Sequence, residues 1–278
     1  MKKNKLIVIA LGLVALTAIV YAAATTTITV KGSDTMVILA QRWAEQYMAN
    51  KPDVSIQVTG GGSGTGISAL INGTTDICNA SRPIKSSERD KLKQRFSSLG
   101  VEIKAAKDGI SLYVHESSPV KELTLDQIKA IYTGTITNWK QVGGPDAKII
   151  LYGRENSSGT YVYFRDVVLK GQDYSGTMQT MPGTAAVVNA VSRDVNSIGY
   201  GGAAYGKGIK FLGVKKDANT PGYEPTAENV KSGAYPITRY LYMYLRSKPT
   251  GALKQYIDWI LSDEGQAVVS KVGYFPIR

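Results

Sequence analysis

From Thr25 onward, apolar positions recur with two alternating periods. "TTITVKG" and "VSIQVTGGGSG" alternate every second residue, the spacing of half-buried strands. Between them, "TMVILAQRWAEQYMANKPD" puts Val37, Leu39-Ala40, Trp43-Ala44 and Tyr47-Met48 on one face of a helix that ends before Pro52. The pattern repeats. "TGISALING" predicts a helix, "TDICNASRP" a short strand closed by Pro83, and "SSERDKLKQRF" an exposed helix. "GISLYVH" and "RYLYMYLRS" predict two aromatic-rich strands far apart in the chain. A second set lies between them: "TLDQIKAIYTG", "KIILYGREN", a helix from Gly159, "TAAVVNAVSRD", "SIGYGG" and "IKFLGV". Alternation of this kind predicts an α/β fold with largely parallel sheets. One lobe (25–115) is interrupted by an inserted lobe (116–234) and completed by a return segment (235–278), with a cleft between the lobes. In α/β sheets, ligands bind at the carboxyl ends of strands, where helix N-termini point.

The first 24 residues follow a different pattern. "MKKNK" precedes the apolar run "LIVIALGLVALTAIV" and the small residues of "YAAATTT", the arrangement of an export signal cleaved before Thr25. An uncleaved anchor is the rival reading, although the run thins at Thr17 and Tyr21. No cysteine follows the run to carry a lipid. The chain of 278 residues has a formal charge of +11, and loss of Lys2, Lys3 and Lys5 would leave +8. Such a balance suits anionic partners. The positive charge is spread out, however, with no basic run of nucleic-acid type. Cys78 is the single cysteine, which rules out an internal disulfide and suggests a buried thiol.

Three strand-to-helix turns share one chemistry. "KGSDTM" offers Ser33, Asp34 and Thr35; "TGGGSGTGIS" offers Ser63, Gly64 and Thr65; "GRENSSGTY" offers Ser158, Gly159 and Thr160. Each would expose backbone N–H groups without intrahelical partners at the positive end of a helix dipole, with hydroxyl donors beside them. Any one of these turns is also explained by helix capping alone. Two arginines follow short apolar strands, Arg82 after Ser81 and Arg154 in "YGREN", and a guanidinium is the natural partner of a tetrahedral oxyanion. Together the turns and arginines describe an oxyanion pocket.

Catalytic motifs fare poorly. "GGAAYGKG" lacks the Ser or Thr that a phosphate-cradling loop places after its lysine, and the relaxed dinucleotide fingerprints at Gly64–Ala69 and Gly199–Ala204 are weak. No nucleophile elbow surrounds Ser63 or Ser158. His115 is the single histidine, so a zinc site is not expected, nor is any other metal or cofactor.

Over essentially its whole mature length the chain resembles the periplasmic phosphate-binding proteins of ABC transporters. The resemblance rests on "GSDTM", "GGGSGTGI", "DICNASRPI", "LTLDQIKAIYTGTITNWKQVGG", "GRENSSGTYVYF" and "SIGYGG". It implies a monomeric two-lobed type II binding-protein fold that closes over inorganic phosphate and presents it to an inner-membrane ABC permease. No catalysis and no nucleic acid are involved. Ser33, Thr35, Ser63, Arg154, Ser158, Gly159 and Thr160 match the family's ligand loops. Well-known members carry an aspartate where this chain has Arg82, and another where it has Asn156. The first of these carboxylates accepts the proton of hydrogen phosphate and repels sulfate. The resemblance therefore places Arg82 at the ligand, with Asp34 and then Asp108 as candidate replacement acceptors. Other readings stay open at this point: a receptor for sulfate or arsenate, a secreted phosphoryl hydrolase, or a reused fold with a surface role.

Overall fold

A computed structural model describes residues 25–277, so the expected export signal lies outside the described residues. In lobe 1, β1 (Thr26–Gly32), β2 (Val54–Thr59) and β3 (Ile77–Ala80) run parallel in the order β2-β1-β3, with α1 (Val37–Asn50) and α2 (Ser63–Asn72) as crossovers. The exposed helix α3 (Ser86–Phe96) then leads into β4 (Val101–Val114).

Lobe 2 follows. β5 (Glu122–Thr124), α4 (Leu125–Tyr132), β6 (Ile150–Arg154) and α5 (Gly159–Val167) come first. They are followed by β7 (Gln179–Met181), α6 (Thr184–Val191), β8 (Ser197–Gly202), β9 (Lys210–Lys215) and α7 (Ala227–Ser232). The chain returns to lobe 1 as β10 (Thr238–Leu245), α8 (Gly251–Ile260) and α9 (Asp263–Val272).

The strand order is β2-β1-β3-β10-β4-β8-β6-β7, with β9 between β4 and β5. The sheet is mixed, where the alternation of elements predicted a largely parallel one. β10 lies antiparallel to both β3 and β4, and β4 antiparallel to β8 and β9. These strands carry the chain from one lobe to the other without a crossover helix on the same sheet, so nothing forces them parallel.

β4 joins the two lobes. Val101–Gly109 pair with β10, whereas Ile110–Val114 pair with β8 and, from Leu112, with β9. The predicted strand began at Gly109; the preceding "VEIKAAKD" also belongs to it, its four charges, with Lys107 and Asp108 adjacent, having interrupted the apolar pattern.

β10 shows why lobe 1 needs its C-terminal strand. Leu241, Met243 and Leu245 face a core with α1, α8 and α9. Tyr242 and Tyr244 face a second core with Ile67, Leu70 and Leu92 from α2 and α3. Alternation of period two thus fills both faces of one strand. Trp43, 1% exposed, closes the first core and donates to the Gly265 carbonyl at 2.8 Å, tying α1 to α9. Lobe 2 has its own core, with Ile110, Leu112 and Val114 of β4 packed against Phe164, Ile198 and Tyr200. Cys78 is fully buried, and burial pushes its thiol up, which leaves it inert at neutral pH.

Candidate ligand-binding cleft

Four helix starts meet where the lobes touch. In lobe 1, Ser33 precedes one 3₁₀ turn, Asp34–Met36, that runs into α1. β2 passes through Gly60-Gly61-Gly62 into α2, whose first residue is Ser63. Gly62 has φ 91°, and a Cβ there would lie 2.6 Å from the Ser157 carbonyl oxygen of lobe 2, so only glycine suits the position. In lobe 2, Ser158 caps α5 by accepting from Tyr161 N–H at 3.3 Å. Gly183 precedes α6, which opens with Thr184.

Hydroxyls from both lobes converge. Thr35 Oγ1 lies 2.8 Å from Thr160 Oγ1, Ser63 Oγ 3.4 Å from Ser81 Oγ, and Ser81 Oγ 3.5 Å from Thr160 Oγ1. All four residues, with Ser33 and Ser158, are buried, and Ser33 Oγ has no hydrogen-bond partner. Gly159 allows the approach, since a Cβ there would lie 2.3 Å from Ser63 Oγ. Backbone joins backbone as well: Gly64 N–H donates to the Ser157 carbonyl at 2.9 Å. Tyr205 Oη of lobe 2 donates to the Asp34 carbonyl at 2.7 Å.

Two buried guanidiniums flank the cluster. Arg154 donates to Asp34 Oδ2 across the interface at 2.7 Å, to Thr184 Oγ1 at 2.9 Å, and to both Glu155 oxygens at 3.1 and 2.8 Å. Burial alone would lower its basicity, but hydrogen bonding and attraction from Glu155, then Asp34, outweigh it and hold the cation. Burial likewise pushes the Glu155 carboxyl up, yet the Arg154 bond and charge keep it below the usual carboxylate range.

Arg239 of β10 stands opposite Asp108 of β4 in the ladder. It donates to Asp108 Oδ2 from Nε at 3.0 Å and from Nη2 at 2.8 Å, to the Ser81 carbonyl at 2.8 Å and to Thr160 Oγ1 at 2.9 Å. Two guanidiniums therefore face three carboxylates. An anion placed here would meet N–H and O–H dipoles rather than surplus positive charge.

Residues 20–264 match the PBP superfamily domain. The phosphate-binding protein PstS of Pseudomonas aeruginosa is 34% identical over 263 residues, covering 88% of this chain and 81% of that protein. PstS of Bacillus subtilis is 33% identical over 251 residues, covering 90% and 80%. The chain belongs to the PstS family of phosphate-binding proteins. Among solved structures, a phosphate ABC transporter substrate-binding protein from Clostridium perfringens, determined with bound phosphate, is 34% identical. Its TM-score is 0.83, covering 91% of this chain and all of that one. An ABC-type phosphate transport receptor from Vibrio cholerae is 28% identical with a TM-score of 0.72, covering 90% and 100%.

In this PstS-family chain the three predicted turns meet as the sequence suggested, bringing Ser33, Asp34, Thr35, Ser63, Gly64, Ser158, Gly159 and Thr160 together with Ser81 and Arg154. Arg82 departs from expectation. Its guanidinium turns to α3, bonding both oxygens of Glu88 at 2.9 and 2.8 Å and the Pro83 carbonyl at 3.0 Å. Glu88 also receives Lys85 N–H at the start of α3, so a helix-start carboxylate captures the arginine. Asp108 is not an unengaged acceptor; it is fully buried in mid-strand and held by Arg239. Asn156 is exposed, and the neighbouring Glu155 pairs with Arg154 instead. Arg239, Thr184 and Glu155 were not singled out from sequence. The signal for Arg239 was present: two opposite charges, Asp108 and Arg239, lay beside or within the strands predicted at the crossover.

Proposed function

We propose that this chain captures inorganic phosphate between its two lobes and delivers it to the permease of an ABC importer. The observation that carries the reading is the buried cluster of hydroxyls and guanidiniums shared between lobes, in a chain whose relatives are phosphate-binding proteins. Ser33, Thr35, Ser63, Ser81, Ser158 and Thr160 would supply hydroxyl donors, and Gly64 and Gly159 backbone N–H groups at helix starts. Arg154 would supply the guanidinium, steered by Asp34. Capture needs no bond to form or break, so the site requires no general base. Closure of the lobes removes water, which strengthens each dipole at the anion.

Export through the N-terminal signal, residues 1–24, would put the mature chain in the periplasm as a monomer. Among the described residues no helix is long and apolar enough to cross a membrane. The test is calorimetric titration of the chain from Thr25 with phosphate at pH 7.5. A single saturable site is expected, accompanied by a change in tryptophan fluorescence on closure. A folded protein that binds no phosphate refutes the reading.

A further inference from the structure

In a helix the N–H groups point to its start and the carbonyls to its end, and the two lie on opposite sides of each trans peptide. The turn that opens α1 therefore aims N–H groups at the cleft and carbonyls away from it. Two phenols reach those carbonyls from opposite lobes. Tyr205 Oη of lobe 2 donates to the Asp34 carbonyl at 2.7 Å, and Tyr274 Oη of lobe 1 donates to the Thr35 carbonyl at 2.6 Å. The Asp34 carbonyl shares its peptide with Thr35 N–H, and the Thr35 carbonyl shares its peptide with Met36 N–H. Met36 N–H is already given to the Ser33 carbonyl at 3.0 Å. Thr35 N–H, at the helix start, has no intrahelical acceptor, and the Thr35 hydroxyl lies 2.8 Å from Thr160 in the interlobe cluster. Neighbours hold Tyr205 in place. It ends a 3₁₀ turn, Ala203–Tyr205, that follows β8 and lies on lobe 1: Ala203 N–H donates to Asp108 at 3.1 Å, and Ala204 packs against the lobe 1 core. Burial pushes the Tyr205 phenol up, so it stays protonated and remains a donor near neutral pH.

We propose that Tyr205 is a positioning residue of the anion site, through which lobe 2 completes a donor that belongs to lobe 1. A donor on a carbonyl polarises the whole peptide and strengthens the N–H on its far side. The chain runs from the phenol through the Asp34 carbonyl to Thr35 N–H and so to the anion. Tyr205 acts through this peptide rather than on the ligand. The inference rests on the phosphate-receptor reading and deepens it. A purely structural role does not account for the bond, because the Asp34 carbonyl already accepts Val37 N–H and is satisfied without the phenol.

The test is calorimetry and amide-proton NMR with sodium phosphate at pH 7.5, alongside thermal unfolding. It compares the wild-type chain from Thr25, Tyr205→Phe, and Tyr152→Phe, whose hydroxyl bonds Asp194 at 3.4 Å outside the cluster. The wild-type Thr35 amide proton is expected to move downfield when phosphate is added. Tyr205→Phe should unfold close to the wild-type temperature, bind phosphate about 3–10-fold more weakly, and move the Thr35 amide proton less. Tyr152→Phe should match the wild type in both readouts. Wild-type affinity in Tyr205→Phe, weaker binding with an unchanged Thr35 shift, or equal losses in the two variants overturns the inference while leaving the receptor reading intact. Should Tyr205→Phe not fold, the wild type decides: a downfield Thr35 shift supports the inference, and an unmoved Thr35 amide overturns it. A folded wild type that binds no phosphate overturns the receptor reading itself.

Discussion

A methyl group at position 159 would sit inside the lobe interface. Gly159 is the first residue of α5 in lobe 2, yet a Cβ built on it meets Ser63 Oγ at 2.3 Å, Ser81 Oγ at 2.7 Å and Ser63 Cβ at 2.9 Å, all in lobe 1. Non-bonded heavy atoms settle near 3.5 Å, so the closest contact is short by roughly 1 Å. Relief comes in two ways. Ser63 can rotate and abandon the Ser81 N–H, or the lobes can stay apart and stretch the Thr35–Thr160 and Gly64–Ser157 bonds. Overpacking of this kind costs about 1–3 kcal/mol. The strain falls on the closed form alone, because Gly159 needs no positive φ and alanine favours a helix over glycine. Gly159→Ala should therefore weaken phosphate binding by about 5–150-fold, measured by calorimetry, with circular dichroism unchanged. Small-angle scattering at saturating phosphate should show a slightly more open particle. Gly64→Ala is the internal comparison: its Cβ would lie 3.2 Å from the Ser157 carbonyl oxygen, so a shift of tenths of an ångström suffices and the loss should be smaller. Wild-type affinity in Gly159→Ala would refute the idea that this contact gates closure.

Arg82→Gln removes the bidentate partner of half-buried Glu88 and should cost about 1–3 kcal/mol of stability in urea unfolding, while phosphate affinity stays within about threefold, a margin of under 1 kcal/mol; a large affinity loss would return Arg82 to the ligand. Glu88 and Glu155 are held below the usual carboxylate range, because the bonds and charges of Arg82 and Arg154 outweigh the upward push of burial. Their contribution is thus fully present above the unfolded glutamate value of about 4.3 and lost as pH falls through the lower folded value. Urea midpoints at pH 7, 5 and 3.5 should be similar for the first two and clearly lower for the third. Finally, a site whose guanidiniums are outnumbered by carboxylates should bind phosphate with little salt dependence; a loss of more than about tenfold between 50 and 500 mM sodium chloride would indicate attraction by net charge.

The parts of the fold that follow from local chemistry were legible in the sequence. "SSERDKLKQRF" predicts α3, and the structure places that helix at Ser86–Phe96. The glycine-rich turns predicted helix starts, and the helices do begin there. Parts that depend on register were not legible. Arg82 follows a short apolar strand just as Arg154 does, but the Pro83 turn presents it to Glu88, six residues on, while Arg154 stays at the cleft. Arg239 and Asp108 look like interruptions in apolar patterns until the antiparallel ladder sets them side by side. Even the distinctive "NW" of the fourth family segment turns out to be scaffold: Asn138 caps a 3₁₀ turn, and buried Trp139 donates to the Asn196 carbonyl at 2.8 Å.

The position of β10 between β3 and β4 governs the order in which the molecule can assemble. The lobe 1 core draws on Ile28 through Ala106 and again on Leu241 through Tyr274. A chain emerging N-terminus first therefore exposes an unpaired β3 edge and an apolar α1 face until nearly its last residues arrive. Lobe 2, built from a continuous stretch beginning within β4, can complete its core earlier. Such long-range closure slows folding. On the export route proposed above, that delay would work in the protein's favour: the half nearest the leading end would remain pliable until the trailing end is delivered.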